Sequence, residues 1–302
     1  MRKYIILIIL LQSKVIWSQQ EAQFTQYMDN MQYYNPAYAG SRGMLNMVGL
    51  HRQQWFGMSN APMTSSFSFN TPLIYKSLGI GVSVLNDVVG PVRSNWINAD
   101  LSYSLKFKKN KAKLSFGVKA GINLLNYDLA ALTKQDITDE ELTGVYENRL
   151  DPNVGFGIYY YSEKWFVGAA SPKILETNLS NGLIYFQNQR HYYLCAGGYA
   201  TLSRMLKLRP STMLKITEGA PMALEVSLAV IFYDKLWLGA NYRLEESAGL
   251  LFQYQLSNQL KFGYSFDLST SIIRKHSAGT HELMLSYDLN LRKATISNPR
   301  YF

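Results

Sequence analysis

Cysteine occurs once in the 302 residues, at Cys195, so neither an internal disulfide nor a lipid-bearing cysteine near the amino terminus is available. Histidine is nearly as sparse: His51, His191, His276 and His281 are scattered without the spacing that a metal centre needs. There is no Gly-x-Ser-x-Gly elbow to expose a nucleophile and no Gly-x-x-x-x-Gly-Lys loop to cradle a phosphate. The acidic run Asp136-Ile-Thr-Asp139-Glu140-Glu141 lacks the glycine and the ligand spacing of a calcium loop, and reads as a solvated surface segment. These gaps lead to the expectation of a chain that is not an enzyme and takes no cofactor, metal or nucleotide.

Charged residues make up only 17% of the chain. The net charge is +9, but Lys and Arg are distributed over turns and alternate positions and are not interleaved with stacking aromatics, which speaks against nucleic acid as a partner. Long apolar runs are missing too. The longest amino-terminal one, Tyr4–Leu11, is too short to span a bilayer as a helix. With Arg2 and Lys3 before it and Ser18 before Gln19-Gln20, it reads as a signal peptide over 1–18, placing the mature chain outside the cytoplasm.

What the sequence has in abundance is a two-residue rhythm. In Met222–Tyr233 every second residue is Met222, Leu224, Val226, Leu228, Val230 and Phe232, and between them stand Ala223, Glu225, Ser227 and Ala229. Such alternation is a strand with one apolar and one mixed face. The segment Asn98–Phe107 repeats it, with Asn98, Asp100, Ser102, Ser104 and Lys106 opposed by Ala99, Leu101, Tyr103, Leu105 and Phe107. It recurs about fourteen times after residue 43, mostly in runs near the nine to eleven residues of a membrane strand, not the five or six common in soluble sheets. Tyrosine is the dominant aromatic, at 22 residues, as the interfacial girdles of a membrane barrel require. A mean hydropathy of −0.11 agrees with strands that are half polar.

Connection lengths alternate as well. Gln53–Pro62, Asp87–Asn95, Tyr127–Asp151, Ser171–Gln189, Thr217–Pro221 and Leu268–Gly279 are long or irregular, with Glu245–Ser247 the short exception, whereas Lys108–Lys111, Ser162–Glu163, Ser203–Met205, Asp234 and Ser257–Asn258 are mostly tight. Long loops on one rim and short turns on the other match the extracellular and periplasmic rims of outer-membrane barrels. The expected fold is therefore all-β, a transmembrane barrel of about fourteen antiparallel strands over 44–302, preceded by an extension at 19–43. An extension that entered the lumen would explain how so large a barrel avoids leaking. Glycines inside strands, Gly79, Gly81, Gly117 and Gly157 among them, read as sites of curvature or close packing.

The amino-terminal block is specific enough to resemble a known family. Gln23-Phe-Thr-Gln26-Tyr27-Met28 through Asn35-Pro36-Ala37-Tyr38-Ala39-Gly40, followed by Arg52-Gln-Gln-Trp55-Phe-Gly57 and Ala61-Pro62-Met-Thr64, resembles the PorP/SprF outer-membrane proteins of type IX secretion. Leu78-Gly79-Ile-Gly81, Ala170-Ser171-Pro172, Thr280-His281-Glu282 and Asn298-Pro299-Arg300-Tyr301-Phe302 support it. Where relatives carry His after the Ser-Pro pair, this chain has Lys173.

The resemblance implies an outer-membrane barrel that works with other secretion components and a secreted client, such as an adhesin used in gliding. It serves either as a general component or as a dedicated accessory. Tyr27, Asn35, Pro36, Tyr38, Arg52, Trp55 and Pro62 stand out as candidate contacts with a partner or with a plug. A passive outer-membrane porin is the alternative, and lipid is a partner on either reading.

Overall fold

The computed structural model describes residues 22–73, 77–107, 111–128, 145–176, 178–180, 185–187, 189–218 and 220–289. Residues 1–18, expected as a signal peptide, the acidic run at 136–141 and the carboxy-terminal block at 294–302 lie outside the described residues. Alternation has the outcome it predicts. Among the described residues fourteen antiparallel strands close into one barrel, with one extra short strand added to the sheet. In chain order the strands are β1 Leu45–Gln53, β2 Met63–Pro72, β3 Leu78–Val89, β4 Val92–Lys106, β5 Lys113–Asp128, β6 Val145–Tyr161 and β7 Trp165–Lys173. There follow β8 Asn178–Ser180, β9 Tyr185–Gln187, β10 His191–Gly198, β11 Ala200–Thr201, β12 Leu206–Thr217 and β13 Ala223–Phe232. The last four are β14 Leu236–Arg243, β15 Ser247–Gln255, β16 Leu260–Ser269 and β17 Thr280–Leu289.

Each barrel strand pairs with its sequence neighbour. Closure comes from β1 on β17, beginning at Leu45 opposite Leu289, and the wall bridges the β8–β9 hairpin through β10 on both β7 and β12. Both ends of the strand series therefore sit on the short-turn rim, as an even strand number requires.

Side chains divide by face. On β4, Asn98, Asp100, Ser102 and Ser104 are buried, while Ile97, Leu101, Tyr103 and Leu105 are exposed. On β13, Glu225, Ser227 and Ala229 are buried, while Val226 and Leu228 are about half exposed at 50% and 47%. An apolar outer band over a polar inner wall inverts a soluble barrel and suits a lipid surround.

Several expected boundaries move. The strand that begins at His191 breaks after Gly198, leaving β11 as a short strip that pairs only with β12 among the described residues, through Ala200 and Thr201 opposite Leu208 and Lys207. The expected loop Ser171–Gln189 contains the β8–β9 hairpin, and β7 runs on to Lys173. Strand β6 starts at Val145 because its first residues pair with the end of β5, past a register shift between Leu125 and Tyr127. Local alternation does not report such irregular pairing.

Candidate functional site

The extension fills the barrel. Within it lie a 3-10 turn at Tyr27–Asp29, one helical turn at Met31–Tyr34 and a second 3-10 turn at Pro36–Tyr38. Phe24, Tyr27, Met31, Tyr34, Ala37 and Tyr38 are each at most 1% exposed. So short a helical segment is marginal by itself, and its order comes from the wall around it. Aromatic packing supplies part of that order. Tyr34 meets Tyr193 edge to face at 5.1 Å, and Tyr38 meets Tyr159 in the same way at 5.6 Å.

The path of the plug is specific. Ala22 and Gln23 lie in the mouth formed by the long connections, where Gln23 Nε2 donates to Glu225 Oε2 at 3.1 Å. From there the chain passes through the lumen and reaches β1 at the short-turn end, where Arg42 pairs with Asp288 at 3.4 Å. The two ends of the plug are thus held at opposite rims.

Three charged groups of the inner wall tie it down. Nearest the long connections, Glu282 accepts the backbone N–H groups of Thr25 and Gln26 at 2.9 and 2.8 Å. Arg52 Nη1 donates to Glu282 at 3.1 Å, to Asp267 at 2.9 Å and to Thr25 Oγ1 at 3.0 Å. On another side, Gln32 donates to Asp100 at 2.9 Å and accepts from Lys119 at 3.2 Å, and Lys119 and Asp100 form an ion pair at 3.0 Å.

The third group centres on Asp29, which pairs with Lys261, accepts from Gln253 at 2.8 Å and lies 3.7 Å from Arg209. Burial alone would raise the Asp29 carboxyl, but the Lys261 and Arg209 cations outweigh it and hold the group below the usual carboxylate range. Removing one partner of such a pair leaves an uncompensated buried charge, at a cost of about 3–5 kcal/mol.

Close approach needs glycine at the wall. A Cβ built on Gly117 would overlap the backbone of Pro36 and Ala37, and one on Gly157 would overlap the Asn35 side chain. The strand glycines read from sequence as sites of close packing therefore include places where backbone meets plug.

The candidate residues separate into two groups. Tyr27 donates its hydroxyl to Ser211 at 2.9 Å. Asn35 caps the Pro36–Tyr38 turn by accepting from Ala37 N–H at 2.9 Å and donates to the Ile158 carbonyl at 3.0 Å. With Pro36, Tyr38 and Arg52, these are contacts between plug and wall. Trp55 and Pro62 belong instead to the long-connection mouth. There Trp55 has a left-handed φ of 51° and donates its N–H to Thr280 Oγ1 at 3.2 Å, and the Pro62 carbonyl accepts from Gln54 N–H at 2.9 Å.

Both line a cavity of about 570 Å3 together with Gln23, Lys215, Glu246 and Asp267. The structural roles of Asp29, Asp100, Lys119, Lys261 and Glu282 are not identifiable from sequence. The available signal was charge of both signs at inward strand positions.

A barrel wall built around its own amino-terminal segment accounts for the most specific block of the sequence. The family model for the type IX secretion system membrane proteins PorP/SprF matches residues 16–287. The chain belongs to that family. As a PorP/SprF protein it is an outer-membrane barrel of type IX secretion, and Glu282, in the family-like Thr280-His281-Glu282 segment, now has a structural role as the acceptor for the plug.

No curated protein sequence matches the chain. Among solved structures it resembles the Acinetobacter baumannii outer membrane protein Omp33, at 11% identity and a TM-score of 0.43, over 82% of this chain and 98% of that one. It also resembles the Pseudomonas putida toluene transporter TodX, at 10% identity and a TM-score of 0.48, over 91% of this chain and 96% of that one. The KdgM porin aligns at 9% identity and a TM-score of 0.41, over 81% and 99% of the two chains.

Proposed function

We propose that this PorP/SprF protein supports the export and surface attachment of secreted proteins, adhesins used in gliding among them, through contacts with its client and with other secretion components. The observation that carries this reading is the filled lumen. Phe24, Tyr27, Tyr34 and Tyr38 occupy the space through which a passive porin would conduct, and paired charges hold them there. A sealed barrel offers its rims to partners. On this reading residues 1–18 are a signal peptide that is removed, the long connections face the cell surface, and the chain is not an enzyme.

The decisive experiment compares the surface, periplasmic and medium proteomes of a parent strain and a clean deletion. Loss of one large surface protein, with its accumulation in the periplasm, supports a dedicated accessory. A stall of many exported proteins supports a general component. No secretion change, with steady ion conductance of the purified full-length barrel in planar bilayers, would overturn the reading in favour of a porin.

A further inference from the structure

The short-turn rim carries a recess that the plug does not use. Register places Lys106 of β4 directly opposite Lys113 of β5, and Lys113 directly opposite Tyr161 of β6. Like charges at directly opposed positions destabilise a sheet, and both positions lie at its end, where an outside group can reach them. Lys111 adds a third cation from the following turn, where its φ of 55° is left-handed. The Nζ of Lys113 lies 5.5 Å from the centre of the Tyr161 ring. Together with Phe107, Ala112, Ser162 and Glu163 these residues line an open recess of about 320 Å3, and among the described residues Glu163 is the one acid of the lining. At about 30 Å3 per water molecule, that volume corresponds to about ten waters, which leaves room for a carboxylate side chain.

The surrounding rim has the same sign. Lys164, Arg204 and Lys235 are exposed there, and of the exposed acids Asp234 is engaged by Lys207 at 2.6 Å. At the opposite mouth Arg52 and Arg243 are tied to Asp267, Glu282, Glu225 and Glu246. That mouth also exposes Arg93, Arg190, Arg274 and Lys275, but it exposes Glu176, Glu218 and Glu245 with them, so among the described residues the short-turn rim carries the less balanced positive charge. We propose that the Lys106, Lys111 and Lys113 recess binds carboxylates and seats an acidic segment of a soluble partner protein.

Position favours a protein over lipid headgroups. Lys106 and Lys113 continue the inward-facing sets that include the buried Ser104 and Ser115, and Tyr161 is buried too. On the outer side stand Tyr160 and Trp165, whose rings pair at 5.1 Å as an interfacial girdle, and Phe107, which meets Tyr160 at 6.0 Å, lines the recess beside them. A headgroup arriving from the bilayer meets those aromatics, whereas a polypeptide reaches the recess along the barrel axis. Concentrated positive charge also speeds encounter with an acidic partner. Assignment of this rim to the periplasm rests on the function proposed above; the carboxylate chemistry does not.

The test is fluorescence anisotropy of a labelled hexaglutamate peptide on the purified full-length barrel, in detergent and in nanodiscs with or without phosphatidylglycerol. The expected result is binding that weakens at least tenfold in the double variant Lys106→Glu, Lys113→Glu and changes less than twofold in Lys235→Glu. Heat-modifiable migration on electrophoresis shows that each variant keeps its barrel. Equal binding by the double variant and the parent would overturn the proposal, as would binding in neutral nanodiscs that disappears when phosphatidylglycerol is present, since headgroups then hold the site. Because the assay contains no secretion step, its failure is distinct from a deletion strain that secretes normally.

Discussion

Glu282 accepts two consecutive backbone N–H groups, those of Thr25 and Gln26, although 257 and 256 positions of sequence separate the partners. One carboxylate on the last barrel strand thereby holds the first turn of the plug while also engaging Arg52. Strand closure and plug seating are coupled through this residue.

Replacing Glu282 by Ala leaves two backbone donors and part of the Arg52 charge buried without an acceptor. A loss of about 3–5 kcal/mol is expected. Urea unfolding in micelles reads it as a lowered midpoint; a midpoint equal to that of the parent would show that the Glu282 contacts contribute nothing to the fold.

Gly117→Val places a branched side chain where Pro36 and Ala37 now pass. Overpacking of this kind costs about 1–3 kcal/mol. The expected consequence is a displaced plug and ion conductance in planar bilayers that the parent lacks. Ala120→Val, on the exposed face of the same strand, serves as the control and should leave the barrel closed.

Acid should weaken the plug through Asp29 only at low pH. Because its folded-state carboxyl titrates below the unfolded value of about 3.9, the contribution is complete above that value and is lost as pH falls through the lower folded one. The stability gap between the parent and Asp29→Asn should be constant from pH 7 to about pH 5 and shrink below about pH 4. A gap that narrows already between pH 7 and pH 5 would contradict the assignment.

Gln23 lies in the mouth formed by the long connections. Cys195 is buried, so Gln23→Cys introduces a single accessible thiol. With the long connections outside, a membrane-impermeant maleimide should label intact cells of this variant and not the parent. Labelling only after the outer membrane is opened would reverse the orientation.

Much of the fold was legible because strand alternation is a local property. Glu225 and Val226 point to opposite sides for the same reason that Asp100 and Leu101 do, and a two-residue period shows this in any short window. The long and short connections, the even strand number and the turn at Asn35-Pro36 could be read in the same way. By itself the sequence determined a membrane barrel with a polar interior, and the resemblance of its amino-terminal block determined the family.

Tertiary structure decided which charges meet. Asp29 and Lys261 are 232 positions apart, and nothing in either neighbourhood selects the other; they pair because closing the barrel brings them together around one plug. Lys106, Lys111, Lys164, Arg204 and Lys235, far apart in sequence, share the short-turn rim for a related reason. Every second connection returns to the same end of a closed barrel, so the turn charges add in space while remaining far apart in sequence.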